Sequence, residues 1–195
     1  MIDNKLYEYM AELLKRTPLD FIRYKYDEIN WNGRLIGIVG PRGVGKSTMI
    51  LQRIKLSKEG HHLYVSADNI YFSNHSLIDF ADEFIKEGGT HLYIDEIHKY
   101  AGWSRELKQI YDMHPSLNLI FTGSSVLDIK KGEADLSRRA LMYMMVHFQS
   151  AASLLQHPRP YCGCSCQVRL NPAWSQAGMV QHVCAHQFQG HQIQQ

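Results

Sequence analysis

The stretch GPRGVGKST, residues 40–48, limits what this chain can fold into more than any other, because it follows the apolar run RLIGIV (34–39) and precedes MILQRIKL (49–56). It meets the pattern Gly-x4-Gly-Lys-Ser/Thr through Gly40, Gly45, Lys46 and Ser47. A buried-type strand running through such a turn into a helix is the setting the pattern requires. Glycines at 40, 43 and 45 permit backbone conformations closed to other residues, so consecutive amides turn toward one bound anion. The helix that opens near Lys46 adds its positive end at the same place. Together these features predict a phosphate cradle made of Gly40, Pro41, Arg42, Gly43, Val44, Gly45, Lys46, Ser47 and Thr48. In it, Lys46 brings a full charge to the outer phosphates, and Ser47, with Thr48 beside it, brings a hydroxyl to Mg2+.

A magnesium ion on phosphates needs a second protein anchor, and HLYIDEIH (91–98) offers one. Its apolar residues deliver Asp95 and Glu96 to the carboxyl end of a strand, where open parallel sheets bind ligands. Asp95 is expected to hold Mg2+ directly or through water. Glu96 is then placed to polarise an attacking water as general base. A further run, LNLIFTGSS (117–125), ends in the hydroxyls of Thr122, Ser124 and Ser125. Ser124 is the expected contact to the terminal phosphate or the water, ahead of Ser125, with Thr122 last.

The surrounding pattern alternates strand and helix. Leu6, Met10, Leu13 and Leu14 recur at helical spacing over 3–15, and Pro18 stops that helix. A helix over 46–58 follows the glycine-rich turn and ends at Gly60. Residues 62–66 read as a strand. Ser76, with Asp79 three residues on, opens a helix whose apolar face is Leu77, Phe80, Ala81, Phe84 and Ile85. Strands at 91–95 and 117–123 flank a helix over 104–113 that Pro115 ends. Such alternation predicts an α/β three-layer sandwich with a mainly parallel sheet.

Composition separates the first 145 residues from the rest. From Val146 to Gln195 there is no Lys, Asp or Glu, but ten Gln, five His and all four Cys. Charged residues make up about a quarter of ordinary domains, so this stretch reads as an irregular tail, of the kind a shifted reading frame produces. Two other readings stand beside it: a flexible native tail, and a metal site built from Cys162, Cys164, Cys166 and Cys184 with His182 or His186. The CxCxC spacing is tighter than structural zinc sites use.

With these residues in view, the chain resembles the AAA+-like P-loop ATPases of bacteria and archaea, in the group whose ATPase domain is followed by a second domain. The resemblance runs from about Leu19 to Met145 and rests on RYKYDEINW, GPRGVGKSTMILQ, LYIDEIHKYAGWSRELKQIYD, LIFTGSS and ADLSRRALMY. It implies that the second segment binds ATP. The third segment would carry the magnesium acid Asp95 and the catalytic Glu96, and the fourth would be the sensor strand. The fifth would bring Arg138 or Arg139 to a neighbouring subunit or domain, which implies a homo-oligomer. A departure accompanies the match: the family continues into a helical lid, and here the Gln-, His- and Cys-rich tail replaces it.

The activity expected is Mg2+-dependent hydrolysis of the β–γ bond of ATP, with a nucleotide-dependent switch of little turnover as the alternative. Asp95-Glu96-Ile97-His98 also spells the DExH box of nucleic-acid motors, but 195 residues leave no room for a second motor lobe. A formal charge of +2 argues for no polyanion partner. The client, protein or nucleic acid, is not written in the sequence. No apolar run nears the roughly 18 residues of a membrane span, and the first ten residues carry charges, so no membrane partner and a cytoplasmic location are expected. His61, His62, His75, His91 and His98 show no ligand spacing and read as surface or strand-end residues.

Overall fold

The computed structural model describes residues 2–124, 136 and 138–146, together with strand backbone at 149–150, 167–169 and 179–183. The chain forms two compact units, Met1–Met145 and Val146–Gln195.

In the first unit, five strands make one parallel sheet: β1 (Leu35–Val39), β2 (His62–Ser66), β3 (His91–Asp95), β4 (Asn118–Gly123) and β5 (Leu141–Met144), in the order β2-β3-β4-β1-β5. The helices are α1 (Asn4–Arg16), the single turn α2 (Lys25–Glu28), α3 (Lys46–Leu56), α4 (Leu77–Lys86) and α5 (Trp103–Met113). Short 3-10 turns lie at Ile70–Ser73 and Ile97–Lys99.

The period-two alternation of strand side chains sorts the core into two layers. Leu35, Leu63, Val65, Leu92, Ile94, Leu119 and Phe121 pack with Leu77, Phe80, Ala81 and Phe84 of α4 and with Trp103, Leu107 and Ile110 of α5. Their neighbours Ile36, Ile38, Tyr64, Tyr93 and Ile120 pack with Met49, Ile50, Leu51 and Ile54 of α3. Every β1 residue is buried, as a strand covered on both faces requires.

Local signals set the helix limits. Asp3 caps α1 by accepting from the Lys5 amide at 3.0 Å, and Ser76 caps α4 by accepting from the Asp79 amide at 3.0 Å. Buried Gln52 of α3 donates to the Pro18 and Phe21 carbonyls at 2.9 and 2.8 Å, which ties the 17–24 segment down beside α3.

Register decides what the sheet can do. Val39 pairs with Gly123, Ser66 with Asp95 and Val39 with Met144, so all five strands end at one rim. Residues 40, 67, 96, 124 and 145 leave the sheet side by side.

In the second unit the described pieces are β6 (Gln149–Ser150), β7 (Gln167–Arg169) and β8 (Met179–Val183), an antiparallel sheet in the order β6-β8-β7. Strand pairing there differs from the irregular tail the composition suggests, because backbone ladders need no charged side chains. The side chains of Cys162, Cys164, Cys166, Cys184, His182 and His186 lie outside the described residues.

Candidate functional site

The turn from β1 into α3 takes the conformations only glycine adopts freely: φ is +153° at Gly40, +80° at Gly43 and +86° at Gly45. A Cβ at Gly40 would stand 2.2 Å from the Met145 carbonyl oxygen. The Gly40 amide donates to Gly123 O at 3.2 Å, and the Met145 amide to Val39 O at 2.7 Å, so β4 and β5 clamp the start of the loop. At Gly43 an added Cβ would meet nothing within 4 Å, and at Gly45 only Arg23 Nε, at 3.8 Å. The outer bend is therefore open. Pro41, Arg42, Gly43 and Thr48 are exposed, and Val44 turns its side chain into the α3 layer of the core.

Lys46 is 4% exposed, and its ammonium donates to the carbonyls of Gly40 and Pro41, both at 3.0 Å. Among the described residues, these two bonds engage two of its three N–H groups. Burial lowers the proton affinity of Lys46, and the charges of Glu96 and Asp95 act against that. The loop thus faces the acidic strand end.

Asp95 is 6% exposed and both its oxygens are occupied. Oδ1 accepts from the Thr122 hydroxyl, and Oδ2 accepts from the Tyr64 hydroxyl at 2.7 Å. Ser47 lies near enough to the same phenol to act on its ionisation, which places the glycine-rich loop beside the acid. Burial, and then the Asp95 charge, push the Tyr64 hydroxyl well above its usual range, so it stays a donor.

Glu96 sits in the left-handed region, φ +52° and ψ +41°, which costs a non-glycine residue about 1–3 kcal/mol. Two contacts hold it there. Its amide donates to Thr122 Oγ1 at 3.0 Å, and its Oε2 accepts from the Ser124 hydroxyl at 2.8 Å. His98 Nε2 lies 3.3 Å from the same carboxylate oxygen and 3.3 Å from Ser124 Oγ, while its buried Nδ1 has no partner among the described residues.

A family model described as an AAA domain matches residues 32–152, more than half of the 195-residue chain. The chain belongs to that family. The AAA domain is a nucleotide-binding core of the ATPase type, and its match begins just before β1 and includes the glycine-rich turn, Lys46, Tyr64, Asp95, Glu96, His98, Thr122 and Ser124. No curated protein matches the chain. Among solved structures, that of C. elegans PCH-2 is similar, with 19% identity, a TM-score of 0.45, and coverage of 78% of this chain and 44% of that one. This chain thus spans less than half the length of that structure.

The residues present suit a nucleotide with magnesium. Around the acid the available donors are the hydroxyl and carboxylate oxygens of Ser47 and Asp95, the hard ligands Mg2+ prefers. The bend itself is not filled by its own side chains at Gly43. Among the described residues no cluster of three or more His, Cys, Asp or Glu side chains stands ready for another kind of metal, and no helix is long and apolar enough to cross a membrane.

The arginines lie elsewhere. Arg138 and Arg139 form a turn that feeds β5, with the Arg139 and Ala140 amides donating to Leu136 O at 2.9 and 3.1 Å. Arg138 is exposed with φ +74°. Arg139 makes a two-bond pair with Asp112 at the end of α5, at 2.9 and 3.0 Å. Both therefore sit at the amino-terminal rim of the sheet, a strand's length of roughly 16 Å from the glycine-rich loop.

Three members of the site escape a reading of the sequence. Thr122, ranked last there, is fully buried and joins Asp95 to Glu96. His98 is not an ordinary surface residue but a neighbour of Glu96 and Ser124. Tyr64 looks like any core aromatic of an apolar strand, and only its register beside Tyr93 and Asp95 discloses where its hydroxyl goes. Ser125 lies outside the described residues.

Proposed function

We propose that the chain binds ATP with Mg2+ and hydrolyses its β–γ bond by in-line attack of water. The glycine-rich turn, with Lys46 bonded to its own carbonyls and close enough to Glu96 and Asp95 to feel their charges, carries this reading. The amides of residues 40–48 receive the phosphates. Lys46 exchanges a carbonyl for a phosphate oxygen and neutralises charge that develops on the leaving side. Ser47 and Asp95 hold the magnesium ion, which when bound supplies neutralisation of the phosphate oxygens. Glu96 orients the water and takes its proton, and Ser124 moves its hydroxyl from Glu96 toward the terminal phosphate. The far-rim Arg138 or Arg139 reaches only a nucleotide held by a second copy, which makes homo-oligomerisation part of the proposal. The setting is cytoplasmic.

A fluorescent ATP analogue titrated with Mg2+ against the parent and Lys46→Ala tests binding. Loss of about 10- to 100-fold in affinity is expected for the removal of a charge-assisted bond in a closed site. Equal affinity in the variant defeats the assignment.

One observation favours a second reading, a nucleotide-dependent switch with slow turnover: the Glu96 carboxylate is already engaged by Ser124, beside His98. Single-turnover hydrolysis separates the two. General-base loss in Glu96→Gln lowers the rate about 10²- to 10⁴-fold if the chain is a working ATPase. Equally slow parent and variant assign it to the switch class.

A further inference from the structure

Tyr64 comes from the middle of β2, with its ring in the core layer under α3 and only 4% of the residue exposed. A tyrosine buried for its bulk alone is satisfied by any single acceptor. This hydroxyl instead donates, at 2.7 Å, to Oδ2 of Asp95, the one acid assigned above to magnesium, and Ser47 lies near the same phenol. The backbone holds it there from both sides: the Tyr64 amide is bonded to Met10 Sδ at 3.2 Å, and β2 is in register with β3, Tyr64 opposite Tyr93. The second oxygen of Asp95 is held independently by Thr122, so removing the phenol frees one oxygen without releasing the other.

Carboxylates that hold a metal are themselves oriented by hydrogen bonds, and removing such a partner typically costs 10- to 100-fold in metal affinity. We propose that Tyr64 is a positioning residue of the magnesium site, its hydroxyl setting the orientation of the Asp95 carboxylate. The inference rests on the nucleotide-binding reading. The phenol contributes nothing to the phosphate loop itself, which keeps its glycines, its Lys46 and its clamp to β4 and β5 whatever stands at position 64.

The test measures binding, not turnover. Affinity of the full chain for a fluorescent ATP analogue is compared in EDTA and in excess Mg2+ for the parent, Tyr64→Phe, Asp95→Asn and the double variant. Tyr64→Phe is expected to match the parent in EDTA, which also shows that it is folded, and to lose about 10- to 100-fold of the tightening Mg2+ brings. Because the phenol acts through Asp95, the double variant should lose no more than Asp95→Asn alone. A Tyr64→Phe protein with the parent's full Mg2+ response overturns the proposal, as do losses that multiply in the double variant. Failure of the nucleotide reading has a different signature: Lys46→Ala binds the analogue in EDTA as tightly as the parent does.

Discussion

Gly40 and Gly43 belong to one bend and have the same side chain, yet the structure gives them different costs of substitution. At Gly40 an alanine Cβ would lie 2.2 Å from Met145 O and 3.1 Å from its carbonyl carbon, at a φ of +153°. Backbone in such a sparsely populated region costs a non-glycine residue about 1–3 kcal/mol. Relief by shifting Met145 is blocked unless its amide gives up Val39 O, a 2.7 Å bond whose loss adds about 1 kcal/mol. Gly40→Ala is therefore expected to cost about 2–4 kcal/mol. At Gly43, with φ +80° and nothing within 4 Å of an added Cβ, only the left-handed penalty applies, partly offset by a less flexible unfolded chain, for a net cost of about 1 kcal/mol.

Urea denaturation and thermal melting, both followed by helical circular dichroism, read the difference, since all the described helices lie in the Met1–Met145 unit. Melting should fall by about 5–15 °C for Gly40→Ala and about 2–4 °C for Gly43→Ala at this chain length. Equal losses, or a Gly40→Ala protein within a few degrees of the parent, would mean that Met145 does not close on the loop as described. Refutation at Gly40 would leave the phosphate cradle without its β5 wall.

Thr122→Val keeps the shape of a fully buried side chain but strands the Glu96 amide and an oxygen of Asp95, and should cost about 2–4 kcal/mol; Thr122→Ser should recover most of that in the same urea titration. His91 titrates at about 4, chiefly because it is buried and secondarily because His62 and Arg53 lie near. Its neutral ring fits its partners, Thr90 Oγ1 at 2.9 Å and Asn118 Nδ2 at 3.2 Å. The unfolded chain binds this proton below about 6.5 and the folded one only below about 4, so stability is lost as pH falls through that window. After discounting for partial exposure the loss is about 1–2 kcal/mol, and His91→Gln should flatten it in denaturation curves at pH 7 and 5. Arg139→Ala removes an exposed pair with Asp112 and should leave the melting temperature near the parent's, whereas Arg138→Ala should lower turnover per chain only at concentrations where copies associate.

What the sequence discloses and what it hides divide along a physical line. Elements fixed by local chemistry are legible: the glycine-rich turn, the Ser76 cap with Asp79, and β1, whose unbroken apolar run matches a strand buried on both faces. The position of Asp95 and Glu96 is legible as well, because the apolar run before them forms a strand that ends at Asp95. β5 is not. Its residues LMYM are partly exposed at the sheet edge and show no clear alternation. Thr122 and Tyr64 are hidden for a different reason. Each is an unremarkable strand residue until register places it beside Asp95, and register is a property of pairing between distant segments.

That same register makes Thr122 a coupling element between the two arms of the proposed chemistry. Its hydroxyl gives its one proton to Asp95 and accepts the Glu96 amide, so the residue assigned to the metal and the residue assigned to the water share a single oxygen atom as intermediary. Any displacement of the Asp95 carboxylate would therefore act on the acceptor of the Glu96 amide. Glu96 is poised to respond, since its left-handed backbone is held by this bond and by the side-chain bond to Ser124. The Thr122 oxygen is thus a direct link, two hydrogen bonds long, between the side chain of Asp95 and the backbone of Glu96.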